Sequence, residues 1–126
     1  MTFLSGIQKE GIDPILLDGG DWLFNLGNVK KNKFAARQLL QKAKLLVDAY
    51  NLFGYAAAAI AEHDLAFGID TVQQLEAQAK FPFLCANLFD ADGKQIFPGS
   101  TVIERHGKKI GVVAALIQLP DHFLKK

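Results

Sequence analysis

The sequence predicts an α/β fold, with mainly parallel strands flanked by helices and a β-hairpin near the C-terminal end. Short apolar runs at residues 15–17, 55–61 and 82–86 alternate with stretches of helical periodicity. The longest of those stretches ends on Gly54, a natural helix stop. Residues 101–105 then alternate, His106-Gly107-Lys108 turns, and a mostly buried strand returns from Lys109 to Leu116, which reads as a hairpin. Strands alternating with helices before a hairpin define the class. The 126 residues make one domain, 1–126, with no repeat, low-complexity tract or internal boundary.

Taken in order, Thr2 is placed to cap a short helix bearing Phe3, Leu4 and Ile7, stopped by Gly11. Asp13-Pro14 breaks it, and residues 15–17 form a short buried strand. Residues 19–31 hold three glycines and two asparagines and read as a long loop carrying Trp22 and Phe24. These two rings can stack on a base, face a partner, or anchor the loop. From Asn32, Leu39, Ala43, Leu46, Tyr50 and Phe53 fall on one helical stripe, widened by Leu40 and Val47. Lys33, Arg37, Gln41, Lys44, Asp48 and Asn51 fill the other face. Residues 55–61 contain four consecutive alanines, which favour helix by propensity. The stop at Gly54 and the short length instead assign a strand packed between layers. Asp70 is placed to cap a helix running to Ala79, residues 82–86 form a third strand, and Asp90-Ala91-Asp92-Gly93-Lys94 is a turn.

Half the residues are hydrophobic and 21% are charged, an apolar balance for so small a body. A buried partner surface or an absent portion of a larger fold accounts for the excess. The net charge of +1 gives no long-range attraction to nucleic acid or acidic membranes, so neither is expected as a partner. The basic residues at Lys30, Lys31, Lys33, Arg37, Lys42 and Lys44 lie mostly on the polar side of the long helix. Cys85, the single cysteine, lies in an apolar run and reads as an inert core thiol, with no disulfide or cysteine zinc cluster possible. No signal peptide is expected at the start, and no run reaches the roughly 18 apolar residues of a membrane span. Neither a phosphate-cradling Gly-x-x-x-x-Gly-Lys nor a Gly-x-Gly-x-x-Gly is present.

Two segments carry the candidate chemistry: Leu16-Leu17-Asp18-Gly19-Gly20-Asp21, and the strand that ends in Ala61-Glu62-His63-Asp64. In a parallel α/β sheet, functional groups collect at the carboxyl ends of strands. A carboxylate such as that of Asp21 has two oxygens and can bridge two cations, while the adjacent glycines allow a sharp turn and close approach. The order of elements resembles the catalytic domain of the 5'-nucleotidase branch of the calcineurin-like metallophosphoesterases. Asp-Gly-Gly-Asp, loop, amphipathic helix, Gly-Tyr, strand and histidine box are followed by Phe81-Pro82-Phe83-Leu84-Cys85-Ala86-Asn87 and Lys109-Ile110-Gly111-Val112-Val113. The resemblance spans residues 3–116.

That resemblance implies a partial metallophosphoesterase-like layered fold and two divalent metals (Mn, Zn or Mg) in the parent family. It implies Asp21 and Glu62 at metal-ligand positions, His63 and Asp64 at catalytic positions, and Gly68 where the family often has a further glycine. Glu62 stands where the family has an asparagine ligand, which adds a charge and a methylene. Ala66 stands where many relatives have the aspartate that orients the histidine, leaving Asp64 to substitute. The family's Asp-x-His strand would lie before Met1 and its later histidine pair beyond Lys126, since His106 and His122 lack the context. With about four ligands needed per metal, Asp21 and Glu62 are too few, so weak metal binding or none is expected of this chain. The expectation is a fragment of a metal-dependent hydrolase of nucleotide phosphate esters, inactive alone. The alternative is a non-catalytic α/β interaction module derived from the same fold. A homo-oligomer is expected from open sheet edges near Ile15, Leu17 and Ile60, or from the Trp22–Phe24 loop. The parent family is often periplasmic or extracytoplasmic.

Overall fold

A computed structural model describes residues 13–24 and 33–116. The helix expected over residues 3–11 lies outside the described residues. The frame is set by α1 (Lys33–Phe53), whose Ala43 and Val47 are fully buried while Leu39, Leu40, Leu46 and Tyr50 pack around the same core. No acidic residue stands in its first turn and no basic one in its last, so its macrodipole gains nothing from side-chain charge, and core packing is what holds it. Its end is a Schellman motif: Tyr55 N–H donates to Tyr50 C=O at 3.0 Å, Gly54 N–H donates to Asn51 C=O at 3.4 Å, and Gly54 has φ 76°.

The chain then enters β2 (Ala57–Ala59), the alanine run, which is a strand. Alanine's helix propensity is overridden because β2 is the central strand of a three-stranded parallel sheet ordered β1-β2-β3. The partners are β1 (Leu17–Asp18) and β3 (Phe83–Leu84), with Leu17 opposite Ala57 and Ala58 opposite Phe83. Parallel pairing puts the ends of β1 and β2 side by side. After β2 come a 3-10 turn (Glu62–Leu65) and α2 (Ile69–Gln78). The cap of α2 is Gly68, with φ 91°, rather than Asp70, which sits exposed in the first turn. There its charge faces the helix's positive end. Asn51 and Gln78 cross-link the two helices: Asn51 Nδ2 donates to Gln78 C=O at 3.1 Å, and Gln78 Nε2 donates to Asp48 Oδ1 at 2.7 Å.

Two buried-strand expectations are corrected. Among the described strands β1 lies at an edge, and its Leu17 is 47% exposed, while Ile60, placed near an open edge, is buried in the core. The hairpin β4 (Ser100–Arg105) and β5 (Lys108–Val113) turns at His106 and Gly107, with φ 52° and 75°, as a two-residue hairpin loop requires. It forms its own two-stranded sheet, so β5, expected mostly buried, is exposed along most of its length. The hairpin is tied to the main body at its open end, where Ala86 N–H donates to Ala114 C=O at 2.7 Å and Cys85 N–H to Pro98 C=O at 2.9 Å. The turn expected at Asp90–Lys94 forms, with Asp90 Oδ1 accepting the N–H groups of Asp92 and Lys94.

The glycine-rich loop after β1 also departs from a surface reading. Trp22, Leu23 and Phe24 are all buried in the core. Trp22 stacks on Tyr50 with centroids 4.6 Å apart, and Tyr50 stacks on Tyr55 at 3.8 Å. Phe24 meets Phe67 edge-on at 4.7 Å. Trp22 Nε1 donates to Ala59 C=O at 3.2 Å, which satisfies the indole's polar atom. These rings anchor the loop, and neither is presented to a base or a partner.

Candidate functional site

The site is built where β1 and β2 end. Asp18 closes β1 and organises the turn that follows: Oδ1 accepts the N–H of Gly20 at 2.9 Å, and Oδ2 accepts the Tyr50 hydroxyl at 2.6 Å. Burial, and then the hydrogen bond to Asp18, push the Tyr50 hydroxyl well above the ordinary tyrosine range, so it stays protonated and keeps donating. Gly20 has φ 110°, and a Cβ there would stand 2.7 Å from the Cβ of Ala61. The residue must therefore be glycine for the loop after β1 to lie against the turn after β2. Asp21 follows with φ 58°, a left-handed conformation that aspartate tolerates better than most residues.

That conformation brings Asp21 onto His63. Asp21 Oδ1 accepts the His63 backbone N–H at 2.8 Å, and Oδ2 lies 3.4 Å from the ring Nδ1. Both side chains are about half exposed. The carboxylate beside the imidazole is thus Asp21, where Asp64 was expected to orient it. Asp64 is fully buried. Its Oδ2 accepts the N–H groups of Asp21 at 2.8 Å and Ala61 at 2.9 Å, and its Oδ1 accepts that of Leu23 at 2.8 Å. Burial pushes the Asp64 carboxyl above its usual value, opposed by those three donors and reinforced by the nearby Asp21 charge. Glu62 opens the 3-10 turn, half-buried, and no hydrogen bond or ion pair joins it to Asp21 among the described residues.

The spacing of Asp64 from Ala61 is that of the acidic side of a capping box, reaching back to the N–H before a helical turn. That spacing is the sequence signal that identifies Asp64 as a backbone acceptor. Asp18, absent from the sequence candidates, has a comparable signal: an aspartate before two glycines bonds its own backbone two residues on.

The donors present do not fit a two-metal centre. Among the described residues no three His, Cys, Asp or Glu side chains converge as a metal site needs. Asp21's oxygens already face His63, and both oxygens of Asp64 accept backbone N–H groups. What the arrangement can do is hold an imidazole by its Nδ1 side and leave Nε2 for another partner, as an acid or a hydrogen-bonding group. A cleft of about 340 Å³ lies elsewhere, between the sheet face bearing Leu17, Ala57, Ala59 and Leu84 and the chain at the end of β5, residues 112–115. Neither Asp21 nor His63 lines it.

The fold defines the class. The chain is similar to the Thermus thermophilus sulfate thiohydrolase SoxB, with a TM-score of 0.67 and 23% identity over 97% of this chain and 22% of that one. It is also similar to the calcineurin-like phosphoesterase YfkN of Bacillus subtilis, with a TM-score of 0.65 and 21% identity over 90% of this chain and 38% of that one. These likenesses make the fold a metallophosphoesterase fold.

Sequence narrows the class. The chain is 32% identical to the protein UshA of Escherichia coli over 133 residues, covering 97% of this chain and 22% of UshA. It is likewise 32% identical to a 5'-nucleotidase of Vibrio parahaemolyticus, covering 85% of this chain and 18% of that protein. The chain is homologous to the UshA/5'-nucleotidase family of metallophosphoesterases over this part of their length. It spans about a fifth of the curated relatives it matches. No family model matches it. No helix among the described residues is long and apolar enough to cross a membrane.

Proposed function

We propose that this chain carries the Asp21–His63 corner of a nucleotide phosphoesterase site and that, alone, it binds a phosphate ester without turning it over. The observation that supports the reading is the double contact of Asp21 with His63, at the backbone N–H and at ring Nδ1, where two parallel strands end side by side. An imidazole held on its Nδ1 side presents Nε2, which donates to an ester oxygen when it carries a proton. Hydrolysis also needs charge stabilisation on the phosphoryl oxygens, and among the described residues no group of three His, Cys, Asp or Glu side chains gathers to hold a metal ion that would supply it. An amide 1H–15N titration with 5'-AMP tests the reading. Shifts at Asp21, Ala61 and His63, with hydrolysis no faster than in buffer, are the expected result. No shift at these residues at saturating nucleotide removes the binding claim, and turnover that disappears in His63→Ala removes the claim of inactivity.

A second reading, an α/β module that works by association, is supported by the sheet edge at β1. β1 pairs with β2 alone among the described strands, Leu17 is half exposed, and Val113 beside the same cleft is 73% exposed. An unpaired edge next to apolar side chains recruits another strand, and a second copy of this chain is the proposed occupant. Light scattering at tens of micromolar should then report a dimer that Leu17→Lys converts to monomer. A monomeric unmutated chain contradicts this reading and leaves the first one standing.

A further inference from the structure

We propose that Asp64 is the positioning residue of this corner: it clamps the backbone of the loop after β1 to the turn after β2, and so delivers Asp21 to His63. The inference concerns how the pair is built and stands whether or not a phosphate ester is its ligand.

The two carboxylates make reciprocal contacts across the corner. The side chain of Asp64 accepts the backbone N–H of Asp21, at 2.8 Å, while the side chain of Asp21 accepts the backbone N–H of His63, the residue before Asp64, also at 2.8 Å. Each loop is therefore held by a carboxylate from the other. Asp64 adds Leu23 and Ala61, so the N–H groups on both sides of Trp22 in sequence are tied to one buried carboxylate. Two oxygens with about four acceptor sites make three such bonds readily, which a single amide oxygen with its adjoining NH₂ group does not. The left-handed backbone of Asp21 needs such an anchor, because sparsely populated conformations persist where the surroundings fix them. Gly20 against Ala61 shows how closely the clamped segments approach. Full burial keeps Asp64 itself away from any ligand. It acts through Asp21.

The test compares the full chain with Asp64→Asn, which preserves shape but turns one acceptor into a donor. Two readouts are used: hydrogen exchange of the Asp21, Leu23 and Ala61 amides, and the side-chain 1H–15N spectrum of the His63 imidazole. In the unmutated chain the three amides should exchange slowly and together. In Asp64→Asn their protection should fall about tenfold or more, and the His63 spectrum should move toward that of Asp21→Ala. Val72→Ala, a core cavity on α2 at a residue outside the clamp's hydrogen bonds, should lower Tm and leave the His63 spectrum in place, which separates positioning from loss of stability. An unchanged His63 spectrum in Asp64→Asn overturns the proposal. So do amides in the unmutated chain that exchange at open-loop rates, and that result decides the matter if the variant does not fold. A silent 5'-AMP titration removes the phosphate-ester reading while leaving these measurements as they are.

Discussion

Residues 22–24 form no regular secondary structure and are all buried, whereas β5 is a fully paired strand and is exposed along most of its length. Burial therefore tracks which layer a segment joins. Backbone regularity does not decide it. Trp22 sits between the sheet and α1, bonded through Nε1 to the backbone of β2 and stacked on Tyr50. β5 pairs with β4 in a sheet of its own and reaches the main body at its end. The site depends on the first region: the buried residues that follow Asp21 hold it at the end of β1, and Asp64 ties both sides of Trp22.

The contrast is broken most severely by Trp22→Ala. Removing a buried indole from a packed core costs about 3–5 kcal/mol, so chemical denaturation should show a sharply lowered midpoint, and the amide resonances of Asp21 and His63 should shift together. A loss under about 1 kcal/mol would place Trp22 outside the core, against its burial and its stack on Tyr50. Gly20→Ala comes next. Its new Cβ would overlap that of Ala61, at 2.7 Å, and φ 110° is unfavourable for alanine, so a cost of about 1–3 kcal/mol is expected. The loss should be accompanied by separation of Asp21 from His63, seen in the His63 imidazole spectrum. The smallest effect is expected at Val113→Lys on β5, where an exposed apolar residue gives way to a charged one. Thermal unfolding should change by no more than about 0.5 kcal/mol, and a large loss would mean that β5 is covered after all.

Much of this architecture was legible because it rests on local patterns. The stripe of α1, the Gly54 stop, the Asp90 turn and the His106-Gly107 hairpin each follow from short-range chemistry, and each is found. The colinear motifs were enough to indicate the family, but they set Glu62 beside Asp21 and Asp64 beside His63, whereas the contact found is between Asp21 and His63. Less legible was anything that required knowing which layer a segment joins. Leu17 is exposed because β1 lies at an edge among the described strands, Ile60 is buried because it follows the central strand, and β5 is open because its hairpin forms a sheet of its own. The same limit affects the carboxylates. Asp64 follows His63 in sequence and looks like its partner, yet both its oxygens bond backbone N–H groups, and the partner comes from a loop 42 residues away.

Asp21 and His63 form a carboxylate–imidazole pair where β1 and β2 end side by side, and among the described residues no group of three His, Cys, Asp or Glu side chains gathers there as a metal site needs. The most direct test is a zinc titration followed in the side-chain 1H–15N spectrum of His63, in the unmutated chain and in Asp21→Ala. With Asp21 Oδ2 beside it, Nδ1 should carry the proton in the neutral imidazole, Asp21→Ala should abolish this preference, and zinc should cause no response below millimolar concentration. A micromolar zinc response that Asp21→Ala abolishes would contradict this, because Asp21 and His63 would then be members of a metal site.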